Sequence, residues 1–320
     1  MTIDGTGLRL APRLTFGQGI SKLGFGTGGL LRTHSSRGRQ DLLAAALANG
    51  ITHFDTAPIY GFGEAERALG RFLRGQRNRV TLATKFGLRP SRLATLLNPF
   101  QQLGRRALQA FPALRGAAVR KAGALYDPPA FSMTAVRDSL DCSLRALRTD
   151  HVDFFLAHQA SAASLPTAEV IGLLEDLRRA GKILEFGVAT EFAWLGPVLS
   201  QRPELSRIVQ FDSELTSGNV ARVGGGTCGL LVTYGFINRT LAACRERMHE
   251  AAGPNQDLRR CDDDTLGGLL LRAAVLANPH GLTLMQSRSA GRIERNVRAA
   301  SDSHDDERVR RLVALLEQPH

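Results

Sequence analysis

The chain has 320 residues, 43% hydrophobic and 22% charged, the balance of a globular protein long enough to bury a large core. The net charge is +11, and the four cysteines (Cys142, Cys228, Cys244, Cys261) show no CxxC pair and no histidine at ligand spacing, which argues against a zinc module or a disulfide scaffold. No apolar run reaches the ~18 residues that cross a bilayer, and the first twenty residues lack the apolar core of a signal peptide, so a cytoplasmic protein with no membrane partner and no metal is expected.

In chain order, "KLGFGT" reads as a strand and "RQDLLAAALANG" as a helix stopped by Gly50. "ITHFDT" is the next strand, and Ala65, Ala68, Leu69, Phe72 and Leu73 mark the stripe of a following helix. "VTLATKFG" comes third. "SMTAVRDSLDCSLRALRTD" is helical, with Val136, Leu140, Leu144 and Leu147 on one side, and it leads into "VDFFLAH". "PTAEVIGLLEDLRRAG" opens with a proline and closes at Gly181 before "LEFGVAT". A short helix around Trp194, "RIVQFD", "GLLVTYGFI" and "GLTLMQS" complete the series.

Eight short, apolar strands separated by helical space predict a parallel sheet with both faces covered. Eight βα units in this length suit a closed (β/α)8 TIM barrel, a single domain over residues 1–320. "LRLAPRLTF" is expected to form an N-terminal hairpin plugging the barrel bottom. Two loop insertions break the rhythm, at about 88–131 and 238–264; the second is a polar stretch with room for two short helical pieces. Loops after strands overhang the catalytic end of such a barrel, so both insertions are candidate lids.

Charge is concentrated. Thirteen Lys and Arg residues and no Asp or Glu lie between Arg67 and Tyr126. Such a segment suits an anionic ligand or nucleic acid, or it reflects composition alone, since 37 of the 41 basic residues are arginine. With three tyrosines and one tryptophan there is no aromatic interleaving for base stacking, and no nucleic-acid partner is expected.

Four polar residues fall at strand ends or just beyond them: Asp55, Tyr60, Lys85 and His158. Lys85 is one of only four lysines in an arginine-rich chain. A compact ammonium beside a phenol makes the phenol easier to ionise, and a carboxylate holds the ammonium in place. Together they equip Tyr60 for proton transfer, with the His158 imidazole orienting the group that receives the proton. "GFGTGG" opens no helix and is read as a turn, not a Rossmann fingerprint; through it Gly26, Thr27 and Gly28 let backbone approach a ligand. "VGGGTCG" lacks the Lys-Ser/Thr of a P-loop and reads as a linker.

"FDTAPIYGFGEAERALG", "TKFG", "VDFFLAHQ" and "GVAT" together resemble the aldo-keto reductase family, over about Lys22 to Asn296. The resemblance implies an (α/β)8 barrel, reversible hydride transfer between a nicotinamide coenzyme and an aldehyde, ketone or sugar, and an Asp55–Tyr60–Lys85–His158 tetrad. It also implies a coenzyme site that includes Gly26, Thr27, Gly28 and Asp55. Gln210 matches the residue that bonds the nicotinamide amide, and Tyr234 the aromatic that stacks on its ring. Ser287, Arg292 and Asn296 match functional positions of the adenosine-phosphate segment, and Arg288 could supply a cation nearby; the two arginines favour NADPH over NADH. Three departures stand out: Gln286 replaces the lysine that commonly opens that segment, Ala189-Thr190 replaces Ser-Asn, and Gly235-Phe236-Ile237 replaces Ser-Pro-Leu. Thr190 keeps a hydroxyl as a partial substitute. A non-catalytic, coenzyme-sensing barrel of the same family is the alternative, and the oligomeric state is open.

Overall fold

A computed structural model describes residues 20–91, 126–224, 229–250 and 255–317. In chain order the strands are β1 (Leu23–Gly26), β2 (His53–Asp55), β3 (Thr81–Phe86), β4 (Arg89–Pro90), β5 (Tyr126–Asp127), β6 (Val152–His158), β7 (Ile183–Ala189), β8 (Ile208–Asp212), β9 (Leu230–Tyr234) and β10 (Leu282–Met285). Eight of them close a parallel barrel in the order β1-β10-β9-β8-β7-β6-β3-β2. The helices are α1 (Ser36–Ala48), α2 (Glu64–Phe72), α3 (Met133–Leu147), α4 (Ala168–Arg179), α5 (Phe192–Gln201), α6 (Asn219–Gly224), α7 (Phe236–Glu250), α8 (Gln256–Arg259), α9 (Asp263–Ala277), α10 (Ala290–Ser301) and α11 (Asp306–Glu317). The eight-stranded (β/α)8 architecture expected from the sequence is the fold.

Side-chain alternation along each strand builds two cores. Phe54, Phe155, Phe186 and Phe211 point outward and are buried against the helices. Ala83, Phe154, Leu156, Ala189, Val232 and Leu284 fill the barrel interior. Because β-strands alternate with period two, each outward phenylalanine leaves its neighbours facing in. Helix starts follow local capping chemistry: Ser35, Ser132 and Asp262 each accept a bond from a backbone N–H three residues on, Gly38, Ala135 and Thr265. Where backbones approach most closely the chain uses glycine. A Cβ at Gly187 on β7 would lie 2.0 Å from the Ile208 carbonyl oxygen on β8.

The segment 238–264, read from the sequence as a polar stretch with room for two helical pieces, holds most of α7 and all of α8. α7 starts at Phe236 and runs for 15 residues, followed by the short α8 and then by α9. Cys244, Met248, Leu258, Leu266, Leu270, Val309 and Leu312 from α7, α8, α9 and α11 form a satellite core. Of the insertion at 88–131, the described ends form the antiparallel pair β4–β5, Arg89 opposite Asp127 and Pro90 opposite Tyr126. The chain therefore leaves and re-enters at one point beyond the C-terminal end of β3. The N-terminal hairpin, most of that insertion and most of the "VGGGTCG" linker lie outside the described residues. No helix among the described residues is long and apolar enough to cross a membrane.

Candidate active site

Asp55 and His158 end β2 and β6, and Lys85 is the penultimate residue of β3, in a staircase set by the barrel. Asp55 pairs in register with Ala83, and Lys85 is two residues beyond Ala83 on the same face. Lys85 pairs with Leu156, and His158 is two residues beyond Leu156. Strands in a closed barrel tilt against its axis, so side chains level along that axis must be staggered in register. The step of about 6.6 Å between Asp55 and Lys85 is one a four-carbon side chain can bridge. Lys85 Nζ donates to Asp55 Oδ1 at 2.8 Å, to Asp55 Oδ2 at 2.7 Å and to the Thr56 carbonyl at 2.9 Å.

Tyr60 comes from the loop between β2 and α2. Gly61, Phe62 and Gly63 all have positive φ, of 58°, 56° and 82°, a conformation that glycine takes without strain. This tight turn, closed by a bond from the Ala65 N–H to the Tyr60 carbonyl, folds the phenol back over the barrel mouth. Lys85 Nζ lies 5.3 Å from the Tyr60 ring centroid. The rings of Tyr60 and His158 meet edge to face with centroids 6.4 Å apart.

The electrostatics correct one expectation. Burial is the largest influence on Tyr60 and raises its pKa above the ordinary tyrosine value; the Lys85 cation pulls the other way without reversing it. The phenol is a protonated acid at neutral pH rather than an easily ionised one. Burial likewise raises the Asp55 carboxyl, against the pull of Lys85. Burial opposes the Lys85 charge, yet Asp55 and Tyr60 carry its pKa above the usual value. His158 is pushed down to about 3, by burial first and by Lys85 second, so its imidazole is neutral.

A cleft of about 420 Å³ opens over these groups, lined also by Gly26, Gln159, Thr190, Glu191, Gln210, Tyr234, Phe236, Leu284 and Gln286. Gln210 is buried and its Oε1 has no partner. Thr190 lines the cleft, but its hydroxyl donates to the Ala160 carbonyl at 2.8 Å and is not a free donor. Thr27 is fully buried, both its hydroxyl and its N–H donate to the Asp55 carbonyl oxygen, and it does not line the cleft. Gly28 lies at the edge, where an added Cβ would come 3.6 Å from Tyr60 Cζ. Ser287, Arg288, Arg292 and Asn296 are not in the cleft wall; they sit between β10 and the first turns of α10. Arg292 Nε pairs with Asp264 at 3.1 Å. The described residues contain no group of three or more His, Cys, Asp or Glu side chains placed to hold a metal ion.

Three polar cleft residues, Gln159, Glu191 and Gln286, were not singled out from the sequence as lining it. Gln159 directly follows the end of β6 and Glu191 lies two residues past the end of β7, where a barrel places the residues of its mouth. Gln286 was noticed only as a departure from a pattern.

A closed parallel barrel that gathers a phenol, an ammonium–carboxylate pair and a neutral imidazole at its C-terminal mouth defines a (β/α)8 protein with a cluster of ionisable groups in that cleft. The chain belongs to the aldo/keto reductase family, whose sequence model matches residues 22–195. A 6-dehydroglucose reductase of Agrobacterium fabrum is 30% identical over 212 residues, 65% of this chain and 57% of that protein. An NADH-specific methylglyoxal reductase of Escherichia coli is 29% identical over 179 residues, 53% of this chain and 48% of that one. The chain thus spans about half the length of the curated relatives it matches. Among solved structures, an aldo-keto reductase of Bacillus halodurans superposes with a TM-score of 0.68 at 19% identity, covering 93% of both chains. One of Klebsiella pneumoniae in complex with NADPH gives 0.63 at 20% identity, covering 94% of this chain and 93% of that one. At such identities these neighbours share the fold.

Proposed function

We propose that the protein catalyses reversible hydride transfer between NADP(H) and a carbonyl or alcohol substrate, with Tyr60 as general acid and base. The observation that carries this reading is the convergence of Tyr60, Lys85, Asp55 and His158, from four separate segments, on one cleft. The coenzyme, when bound, supplies the hydride in the reductive direction. Tyr60 gives its proton to the carbonyl oxygen and takes it back in the oxidative direction. The Lys85 ammonium, fixed by Asp55, stabilises the phenolate left behind. His158, neutral throughout the physiological range, orients the substrate oxygen by a hydrogen bond rather than by charge.

The residues present fit a nicotinamide group. The open Gln210 Oε1 is an acceptor for the carboxamide N–H, and a buried acceptor without a donor is costly unless a ligand satisfies it. The Tyr234 ring, at the end of β9, offers a stacking face, and Gly26 and Gly28 let backbone come close. Ser287, Arg288, Arg292 and Asn296 would hold the adenosine phosphate, which supports NADPH over NADH. A structural neighbour crystallised with NADPH supports the same preference, whereas a sequence relative described as NADH-specific points the other way.

Tyr60→Phe tests the assignment. It removes one oxygen and keeps the ring, so coenzyme affinity by fluorescence titration should be retained while carbonyl reduction falls by ~10² or more. Near-normal turnover by a variant that still binds coenzyme would refute the role of Tyr60.

A further inference from the structure

One buried carboxyl has no part in the cleft. Glu66, on α2, is 2% exposed and forms no ion pair with a described residue. A buried glutamate without a paired cation is rare, because taking the carboxyl out of water works against folding. Burial is the largest influence on it and raises its pKa above the usual carboxylate value, against the pull of Thr84, Ser143, Lys85 and Arg67.

Its partner explains its place. Thr84, fully buried, donates through its hydroxyl to Glu66 Oε1 at 2.7 Å. Thr84 and Lys85 are consecutive on β3, so their side chains leave the strand on opposite faces, Lys85 into the barrel and Thr84 outward to α2. At the other end of the bond, Glu66 follows Ala65, whose N–H holds the Tyr60 carbonyl at 3.2 Å. The Glu66–Thr84 bond thus joins the neighbour of the residue that anchors Tyr60 to the neighbour of Lys85. Helix α3 backs both sides. A Cβ at Gly70 of α2 would collide with the Ala146 carbonyl oxygen on α3, and the Ser139 hydroxyl of α3 reaches the Lys85 carbonyl at 3.5 Å. Ser143 Oγ, also buried on α3, faces the Glu66 carboxyl but has no hydrogen-bond partner.

An apolar side chain could fill the space between α2 and β3. Apolar contact is non-directional, however, whereas a hydrogen bond fixes both distance and angle. Direction matters at Lys85, whose ammonium meets two Asp55 oxygens and the Thr56 carbonyl at 2.7 to 2.9 Å while standing 5.3 Å from the Tyr60 ring centroid. We propose that Glu66 is a positioning residue for proton transfer: by holding Thr84 from behind the barrel wall, it sets the Lys85 ammonium where it supports Tyr60. This role rests on the carbonyl-reducing activity proposed above. The bond carries it rather than the charge, because a carboxyl keeps an accepting oxygen whether or not it is protonated.

The test uses the full chain with both coenzymes and a panel of simple aldehydes. Thr84→Val keeps the shape of the side chain and removes the donor, whereas Glu66→Gln keeps an accepting oxygen. Thr84→Val should lower kcat about five- to tenfold, the scale of one hydrogen bond, with KM and coenzyme affinity unchanged, and Glu66→Gln should stay within about twofold of wild type. Absorbance titration of the Tyr60 phenol, read against Tyr60→Phe in each background, needs no turnover. It should move upward by about half a pH unit in Thr84→Val, as the cation withdraws, and stay in place in Glu66→Gln. An unchanged kcat or an unmoved phenol in Thr84→Val, whatever its melting temperature, overturns the proposal, and so does a Glu66→Gln variant as impaired as Thr84→Val. If the wild type reduces no aldehyde with either coenzyme, the hydride-transfer reading fails, and the phenol titration alone decides whether Glu66 positions Lys85.

Discussion

Lys85 and Asp55 form a bidentate pair inside the barrel, Nζ to carboxylate at 2.7 and 2.8 Å, with both side chains shut off from solvent. A buried pair of this kind is a poor source of net stability, because two ions have been taken out of water. Breaking it by removing one partner is costly, since the other charge is left uncompensated. The pair is better understood as a device that keeps an ammonium charged beneath a phenol.

Lys85→Met should therefore destabilise the protein by about 3 kcal/mol or more in urea unfolding, with Asp55 taking up a proton. Lys85→Met combined with Asp55→Asn should be less destabilised than the sum of the two single changes. Strict additivity would mean that the two groups do not act as a pair.

With three tyrosines in the chain, a single phenol can be followed by absorbance. In coenzyme-free protein, the difference between wild type and Tyr60→Phe should report a phenolate that forms above the ordinary tyrosine pKa of about 10, because burial outweighs the neighbouring cation. Lys85→Met should move that titration higher still, since Lys85 is the group pulling it down. A titration near pH 8 would contradict the burial argument.

Acid sensitivity should come from two histidines. His53, bonded through Nδ1 to the Thr81 hydroxyl at 2.9 Å, and His158 are both held at about 3, by burial first and by Lys85 second. In the unfolded chain each binds a proton near pH 6.5, whereas the folded protein does not until about pH 3. Their contribution is thus complete above pH 6.5 and is lost as pH falls toward 3, at up to ~1.4 kcal/mol per pH unit for each histidine. His53→Phe, placed beside the Phe154 ring, should remove about half of this slope between pH 6.5 and 5 in urea titrations. An unchanged slope would show that His53 is not buried as a neutral base.

The proposed preference for NADPH rests on the arginines after β10. Arg292 is already paired with Asp264, whereas Arg288 is exposed and makes no ion pair with a described residue. Arg288→Ala should weaken NADPH binding by about tenfold while changing NADH binding little, the signature of a lost guanidinium–phosphate contact. Equal loss for both coenzymes would remove Arg288 from the 2′-phosphate site.

The sequence by itself determined the barrel. "VDFFLAH" coincides with β6 residue for residue, and Gly50 and Gly181 stop their helices at positive φ. These features are local: period-two and helical patterns and turn chemistry are written into consecutive residues. The same patterns put Asp55, Lys85 and His158 near strand ends and Tyr60 in the loop after β2, and these four side chains line one cleft. Tertiary structure decided what those residues experience. The phenol's pKa is raised rather than lowered because burial depends on the whole barrel, not on the distance to one cation. The Thr190 hydroxyl is committed to Ala160, thirty residues away, and Arg292 is committed to Asp264. Gln159 and Gln286 lie 127 positions apart in the chain. They flank one phenol only because β10 closes against β1 and the register of the strands brings their ends to the same level.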